Sequence, residues 1–411
     1  MKIVQQLRSV MKFERLRWRP QERRLARAVN VGSLRAIARR RLPGGIFDYI
    51  DGGAEDEFTL RRNVEAYQNL EFRPRVLSDV STVDPSTVVL GRRVPIPVVL
   101  APTGFTRIVT PAGELDVARA AERFGLPYTL STLATRSIEE VRSVSDGDLW
   151  FQVYVWRDRG LVADMLQRAA DSGYSTIVIT VDTAVLGRRE RDVARGFSLP
   201  PRLSPGILVD GLLHPSWTWQ FLKSDPIQFA NLTRPDGDNA SPVNLAQYVN
   251  SQFDSSLSWQ DIAWFRERWG GRILLKGVQT VEDAELAVDH GVDGIVLSNH
   301  GGRQLDGAPV PIELLPNVVE AVGGRTEVYC DGGVRRGSDI VKAVALGATA
   351  VFIGRAYLYG LATAGATGVT HVLELLRNDV ERVMALIGAS NIQDVTRGHV
   401  TMIAPRHPLV R

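Results

Sequence analysis

Eight short apolar runs rich in β-branched residues recur along this chain, one ending at 101–102 and the others at 126–131, 150–155, 176–182, 273–277, 294–299, 327–331 and 350–354. Between them lie helical patterns, as at 114–124, 161–170, 281–289 and 338–346, where apolar residues return every three or four positions. Strands that alternate with amphipathic helices must pair in parallel through right-handed crossovers, and eight such units close into a (β/α)8 TIM barrel more naturally than into an open sheet. The expected architecture is therefore an α/β barrel at 91–390, with a helical N-terminal extension at 1–90 packed on it and a C-terminal tail at 391–411. A long insertion, 197–271, follows the fourth strand and holds Trp217, Trp219, Trp259, Trp264 and Trp269, five of the eight tryptophans. Long barrel loops usually serve as lids or docking surfaces.

Composition narrows the function classes. Hydrophobic residues make up 44% and charged residues 23% of the 411, enough apolar surface for a large core and too much for a disordered chain. The single cysteine, Cys330, allows no intrachain disulfide, and the six histidines form no HExxH or comparable cluster, so no metal site is expected. A reducing cytoplasm fits best. The net charge is only +3, much of it carried by Arg15, Arg17, Arg19, Arg23, Arg24 and Arg27. That basic arm lacks the apolar core of an export signal and reads first as a solvated extension, with phosphate or anionic lipid as the alternative and nucleic acid not expected. No run is long enough to span a bilayer, and the sequon at Asn231 is expected to be silent.

Barrels carry chemistry at the C-terminal ends of their strands, so the polar residues that close each run are the test. Here they are Thr103, Ser131, Gln152 with Tyr154, Thr180 with Asp182, Lys276, Ser298 with Asn299 and His300, Asp331, and Gly354 with Arg355. Loops 7 and 8, around Asp331-Gly332-Gly333-Val334-Arg335 and Gly354-Arg355, each run into a helix and offer backbone amides, helix dipoles and guanidinium groups to a phosphate. No GxGxxG follows the first strand and no GxxxxGK occurs, so a phosphorylated cofactor in the barrel mouth is expected in place of a Rossmann or P-loop nucleotide. His300 at the mouth reads as a general base, with Asp182 available to orient the ring and Arg303 as a bidentate carboxylate partner. Lys276 closes its strand where it can hold negative charge on a cofactor, form a Schiff base or sit in a buried salt bridge.

These residues resemble the FMN-dependent α-hydroxy acid oxidases and dehydrogenases, a family that includes glycolate oxidase, lactate oxidase, L-lactate dehydrogenases and mandelate dehydrogenase. The resemblance runs through Phe47-Asp-Tyr49-Ile-Asp-Gly-Gly-Ala-Glu-Asp56, Ala101-Pro-Thr-Gly104, Thr180-Val-Asp-Thr183, Gly187-Arg-Arg-Glu190, Leu275-Lys-Gly277, Ser298-Asn-His-Gly-Gly-Arg-Gln-Leu-Asp306, Asp331-Gly-Gly-Val-Arg-Arg-Gly337 and Gly354-Arg355. It implies that His300 is the catalytic base with Asp182 its electrostatic partner, and that Arg303, Tyr49, Tyr154 and Arg189 hold the substrate carboxylate. FMN would lie against Pro102, Thr103, Gly104, Ser131, Gln152, Thr180, Lys276, Ser298, Asp331, Gly332, Gly333, Arg335, Gly354 and Arg355. The implied reaction oxidises an L-2-hydroxy acid to the 2-oxo acid, with L-lactate as the first expectation, in a homo-oligomer. Leu133 stands where glycolate oxidase has tryptophan. Gly104 stands where many oxidases have alanine and mandelate dehydrogenase has glycine, and the insertion is similar to a membrane-docking segment. Together these departures favour a dehydrogenase that passes electrons to quinone, peripheral on the inner face of the cell membrane, over an oxidase releasing hydrogen peroxide. A non-redox FMN isomerase would need neither the base nor the carboxylate clamp.

Overall fold

The computed structural model describes residues 18–195, 205–232 and 252–403. Eight parallel strands close a barrel in sequence order: β1 (Val98–Leu100), β2 (Tyr128–Ser131), β3 (Leu149–Tyr154), β4 (Thr176–Thr180), β5 (Arg272–Val278), β6 (Gly294–Leu297), β7 (Glu327–Cys330) and β8 (Ala350–Ile353), with β8 pairing back onto β1. Each of the eight runs read from sequence is one of these strands. Six of the runs overshoot the strand ends by a residue or two, as where Asp182, Asn299 and Asp331 lie just past the last ladder residue, whereas 126–131 ends with its strand and 273–277 stops one residue short. Parallel strands buried on both faces read as unbroken apolar runs, as Thr176-Ile-Val-Ile-Thr180 does here. Inside the barrel Trp150 and Tyr329 pack against Phe352, with centroids 5.9 and 5.7 Å away.

Among the described residues four α-helices precede the barrel: α1 (Pro20–Arg27), α2 (Val31–Arg41), α3 (Gly44–Asp51) and α4 (Phe58–Glu65). Around it run α5 (Glu114–Phe124), α6 (Ile138–Arg142), α7 (Arg159–Asp171), α8 (Glu190–Ala194), α9 (Pro205–Leu213), α10 (Pro215–Lys223), α11 (Asp261–Arg268), α12 (Val281–Asp289), α13 (Pro311–Val322), α14 (Gly337–Ala345) and α15 (Arg355–Ile387), the last broken at Ala364 and Gly365. Local signals set the helix ends. Asp158 caps α7 by accepting from Leu161 N at 3.0 Å, Ser137 and Glu140 form a reciprocal capping box on α6, and α5 stops at Gly125 with φ +77°. Helices α1 and α2 pack on α15, and the strand Val400–Met402 pairs antiparallel with Leu70–Phe72.

The insertion differs from its reading in extent. Helix α11 leads directly into β5 and packs on α7, so it occupies the place of the fourth barrel helix, and the tryptophans beyond 260 belong to the barrel: Trp269 is buried, and its indole donates to Arg272 O at 3.0 Å. What lies outside the barrel is the pair α9 and α10. Trp217 turns inward and donates to Ile108 O at 2.7 Å, whereas Leu212, Leu213, Trp219 and Leu222 are exposed. Residues 196–204 and 233–251 of the insertion, Arg15 and Arg17 of the basic arm and the tail beyond 403 lie outside the described residues. Asn231 of the sequon is buried and accepts from Ile138 N at 3.0 Å. Among the described residues no helix is long and apolar enough to cross a membrane.

Candidate active site

A cleft opens at the C-terminal ends of the strands, holding about 1340 Å3 of empty space, open solvent included. Of the site residues expected from sequence, all but Asp182 and Ser298 line it. Those two stand directly behind the lining. Asp182 follows β4 and meets the His300 imidazole, Nδ1 to Oδ1 at 3.1 Å and to Oδ2 at 3.3 Å, with its own side chain only 1% exposed. Burial pushes the Asp182 carboxyl up, but His300 and Lys276 outweigh it, and the group sits below the usual carboxylate range. The ring nitrogen Nε2 of His300 faces the cleft side, 3.5 Å from the Tyr154 hydroxyl. Burial raises the Tyr154 phenol further above its ordinary value, so it stays protonated.

Three guanidinium groups line the cleft with no carboxylate in ion-pair contact among the described residues. Arg303 Nη1 donates to Tyr49 O at 2.7 Å and Gly52 O at 3.1 Å. Arg355 donates to Ile50 O, Gly301 O and Gly52 O, and Arg335 donates to Val334 O. Burial, then Arg189 and Arg355, pull the Arg303 guanidinium down to about 9. Concentrated positive charge whose hydrogen bonds go to carbonyl oxygens suits anionic ligands. Arg189 and Arg303 flank Tyr49, their guanidinium carbons 5.6 and 5.2 Å from its ring centroid.

Toward the C-terminal ends of β5, β6 and β7, Lys276, Ser298 and Asp331 form a chain: Lys276 Nζ donates to Ser298 Oγ at 2.8 Å, and that hydroxyl donates to Asp331 Oδ2 at 2.8 Å. Lys276 also pairs directly with Asp331 at 3.1 Å, so of its open readings the buried salt bridge is present in the fold. Ser131 donates to Gln152 Oε1 and Gln152 Nε2 donates to Thr180 Oγ1, both at 3.0 Å, which aligns the ends of β2, β3 and β4.

The residues present fit FMN on three observations. Asp331 Oδ1 is buried with no hydrogen-bond partner, as an acceptor waiting for a ligand hydroxyl would be. Gly354 leaves its side of the cradle open, since a Cβ there would meet only Ala101 Cβ and Thr103 Cγ2, at 3.8 Å. Helix α15 starts at Arg355 with no side-chain cap, leaving amides for a phosphate. The helix after loop 7 departs from the sequence reading. Its first amides are already taken, Arg335 N and Arg336 N by Asp339 at 2.9 Å and Gly337 N by Asp379 at 3.0 Å, so loop 7 offers Gly332, Gly333 and the Arg335 side chain instead. Gly333 is required for a different reason: its φ is +84° and a Cβ would lie 1.8 Å from Asn63 O.

A model of the FMN-dependent dehydrogenase family matches residues 38–402. The chain belongs to that family. It is 44% identical over 407 residues to a putative L-lactate dehydrogenase of Mycobacterium tuberculosis, covering 99% of this chain and 97% of that one. Glycolate oxidase 1 of Oryza sativa subsp. indica is 45% identical over 377 residues, covering 92% and 96%, and (S)-mandelate dehydrogenase of Pseudomonas putida is 42% identical over 386 residues, covering 93% and 97%. Among solved structures, that of the monotopic membrane protein (S)-mandelate dehydrogenase superimposes with a TM-score of 0.88 at 42% identity, over 91% of this chain and 99% of the other. The protein is thus an FMN-dependent enzyme that oxidises 2-hydroxy acids.

Sequence reasoning passed over the apolar wall of this family member's cleft, formed by Phe105, Ile108, Val109 and Leu186 beside Leu133. It also missed two supports. Tyr357 donates to Ala101 O at 2.8 Å and meets Thr103 Oγ1 at 2.6 Å, and Gln304 Nε2 donates to Asp182 O at 2.9 Å. Gln304 stands inside the Ser298–Asp306 motif and was open to reading. Tyr357 looks in sequence like any core position of a long helix.

Proposed function

We propose that this enzyme oxidises L-lactate to pyruvate and passes the electrons to a quinone at a membrane surface. The single observation behind the chemistry is the pairing of His300 with a buried, ionised Asp182 in a cleft that is also lined by Arg303, Arg335 and Arg355, which have no ion-paired carboxylate among the described residues. Arg303 and Tyr49, with Tyr154 and Arg189, hold the substrate carboxylate and fix the hydroxyl-bearing carbon beside the imidazole. His300 Nε2 takes a proton from the 2-hydroxy acid, while Nδ1 keeps its own proton against Asp182, whose charge stabilises the imidazolium. FMN, held by Pro102–Gly104, Ser131, Gln152, Thr180, Lys276, Ser298, Asp331–Gly333, Arg335, Gly354 and Arg355, supplies the acceptor for the electron pair, which no side chain can supply. Lys276, buried and paired with Asp331, would place positive charge beside the bound cofactor.

The acceptor reading rests on α9 and α10, where Leu208, Val209, Leu212, Leu213, Trp219, Phe221 and Leu222 are exposed and Lys223 Nζ lies 4.4 Å from the Trp219 ring centroid. Apolar side chains with an interfacial tryptophan and a basic neighbour suit a headgroup boundary. A second reading, a bulkier acid of the mandelate type, is favoured by the apolar wall of Phe105, Ile108, Val109, Leu133 and Leu186, which offers more contact than a methyl group uses.

Anaerobic reduction by L-lactate, glycolate and L-mandelate, followed by reoxidation with oxygen or a quinone analogue, tests both halves. Fastest reduction by L-lactate with oxidation by quinone and not oxygen is expected; preference for L-mandelate selects the second reading, and rapid oxygen turnover makes the enzyme an oxidase. His300→Asn should retain flavin and lose about 10²- to 10⁴-fold in kcat, the usual contribution of a general base. Activity within about tenfold of wild type removes that role. Vesicle co-sedimentation of wild type against a variant with Leu212, Leu213, Trp219 and Leu222 changed to serine tests docking, and equal partitioning refutes it.

A further inference from the structure

Loop 4 carries Leu186 and Arg189 to the cleft, yet little apolar burial holds it there. Val185 and Val193 are largely exposed, Leu186 is partly so, and in α8 the only buried residue is Asp192. Polar contacts hold the loop instead. Toward His300, Gly187 N donates to Gln304 Oε1 at 3.0 Å, and Gln304 Nε2 donates to Val185 O at 3.0 Å. Toward the N-terminal extension, Glu55 N donates to Arg188 O at 2.9 Å, Arg189 lies over the Tyr49 ring, and a set of ion pairs follows. Arg191 Nη1 lies 3.2 Å from Asp51 Oδ2 and 3.5 Å from Asp48 Oδ1, Arg191 Nη2 bonds Glu57, and Arg195 Nε bonds Asp48 Oδ2 at 2.9 Å.

The carboxylates are fixed from the core side. Asp51, 5% exposed, receives a bidentate Arg35 at 2.6 and 2.7 Å and the Tyr359 hydroxyl at 2.7 Å, and Glu57 accepts from Gly53 N at 2.9 Å. Asp48 and Asp51 lie on α3, the helix that presents Tyr49. Three carboxylates therefore meet three guanidinium groups, two of them brought by loop 4. Lifting the loop strips Asp48 and Glu57 of these cationic partners and leaves Asp51 with Arg35.

We propose that Arg191 is a positioning residue for the substrate site: by bridging Asp48, Asp51 and Glu57 it latches loop 4 against the Tyr49 helix and so sets where Arg189 stands. This rests on the reading that Arg189 and Tyr49 face the substrate carboxylate. Arg191 is two residues from Arg189, and the latch joins the two chain segments, distant in sequence, that carry those groups. A network of three partly buried pairs has the geometry in which ion pairs contribute measurably, unlike isolated surface pairs.

The test compares holoenzyme variants by steady-state kinetics and by hydrogen exchange over 183–195. Arg191→Gln should keep its flavin, raise the hydroxy acid KM about tenfold with kcat within about threefold, and speed exchange in that segment only, as the loss of a charged network predicts. Arg191→Lys should fall between, because an ammonium reaches fewer carboxylates than the guanidinium fork. Glu57→Gln, which opens the latch from the other side, should act in the same direction and, combined with Arg191→Gln, add little. If exchange rises while KM does not, Arg191 is only structural and the proposal fails. It fails equally if neither changes, or if the two variants are additive. Arg189→Lys is the separate control. If that change leaves KM untouched, the carboxylate reading itself is wrong, and hydrogen exchange still reports on the latch.

Discussion

Asp182→Asn isolates the charge behind the base while keeping its shape. The carboxylate lies 3.1 Å from His300 Nδ1, and at that distance, with an effective dielectric of about 20, an imidazolium and a carboxylate attract by about 5 kcal/mol. A hydrogen bond to a charged group is worth about 1.5–3 kcal/mol net, and the amide keeps part of it by turning its oxygen toward Nδ1. Transition-state stabilisation should therefore fall by about 2–5 kcal/mol, or about 30- to 5,000-fold in kcat. The fold should hold, because the substitution replaces a buried charge with a neutral group and Gln304 binds the backbone of Asp182, not its side chain. The assay is anaerobic flavin bleaching at saturating hydroxy acid, with flavin content and Tm as controls. A drop of less than about fivefold with normal flavin content would refute the electrostatic partnership and leave Asp182 as a mere spacer for the ring.

Arg303→Lys replaces a fork with a point charge and should raise KM at least about tenfold, measured in steady state; unchanged KM and kcat would place the substrate carboxylate elsewhere. Asp51 has a folded pKa of about 2, because the Arg35, Tyr359 and Arg191 hydrogen bonds outweigh the burial that pushes it up. Its contribution to stability, on the order of 2–3 kcal/mol, is present above the unfolded carboxyl pKa of about 4 and is lost as pH falls toward the folded value. Asp51→Asn should flatten that acid limb in denaturation midpoints between about pH 4 and 2, and an unchanged limb would show that another group sets it. Stripping flavin should lower Tm, and FMN at 100 times its Kd should restore about 2.7 kcal/mol with one FMN per chain; FAD in the extracted cofactor, or no recovery, would contradict the cradle.

Much of this site was legible because the barrel orders it along the chain. Polar residues stand at or close to the ends of the apolar runs, so His300, Lys276, Asp331 and Thr180 announce themselves there. What stayed hidden depends on segments far apart in sequence. The Asp51 carboxylate meets Tyr359 across 308 residues, and nothing in either neighbourhood marks the pair. Phe105 lies immediately beyond the Ala101–Gly104 motif, but its place in the pocket wall follows from a left-handed backbone, φ +60°, and from packing on Tyr49 and Phe229. Helix α11 was absorbed into the insertion because its stretch, Asp261-Ile-Ala-Trp-Phe-Arg-Glu-Arg268, buries only Ile262 and Phe265 and shows no clear apolar stripe.

The proposed base and the proposed flavin cradle share one hydrogen-bonded hydroxyl, Ser298 Oγ. His300 has φ +57°, a left-handed conformation that costs a residue with a Cβ on the order of 1–2 kcal/mol, so something must hold it. The holder is Ser298 Oγ, which accepts from His300 N at 3.0 Å and from Lys276 Nζ at 2.8 Å while donating to Asp331 Oδ2. Gly301 and Gly302, at φ +65° and +73°, let the chain turn away without a further penalty, and no space remains there for a side chain, since a Cβ on Gly302 would sit 2.6 Å from Leu60 N. Under the proposed function Lys276 and Asp331 serve the cofactor and His300 the substrate, and a single hydroxyl bonds all three. A shift of Lys276 or Asp331 would therefore reach the imidazole through the His300 backbone, and under the proposed function the same hydrogen-bonded chain would couple the position of the base to the residues that would hold the cofactor.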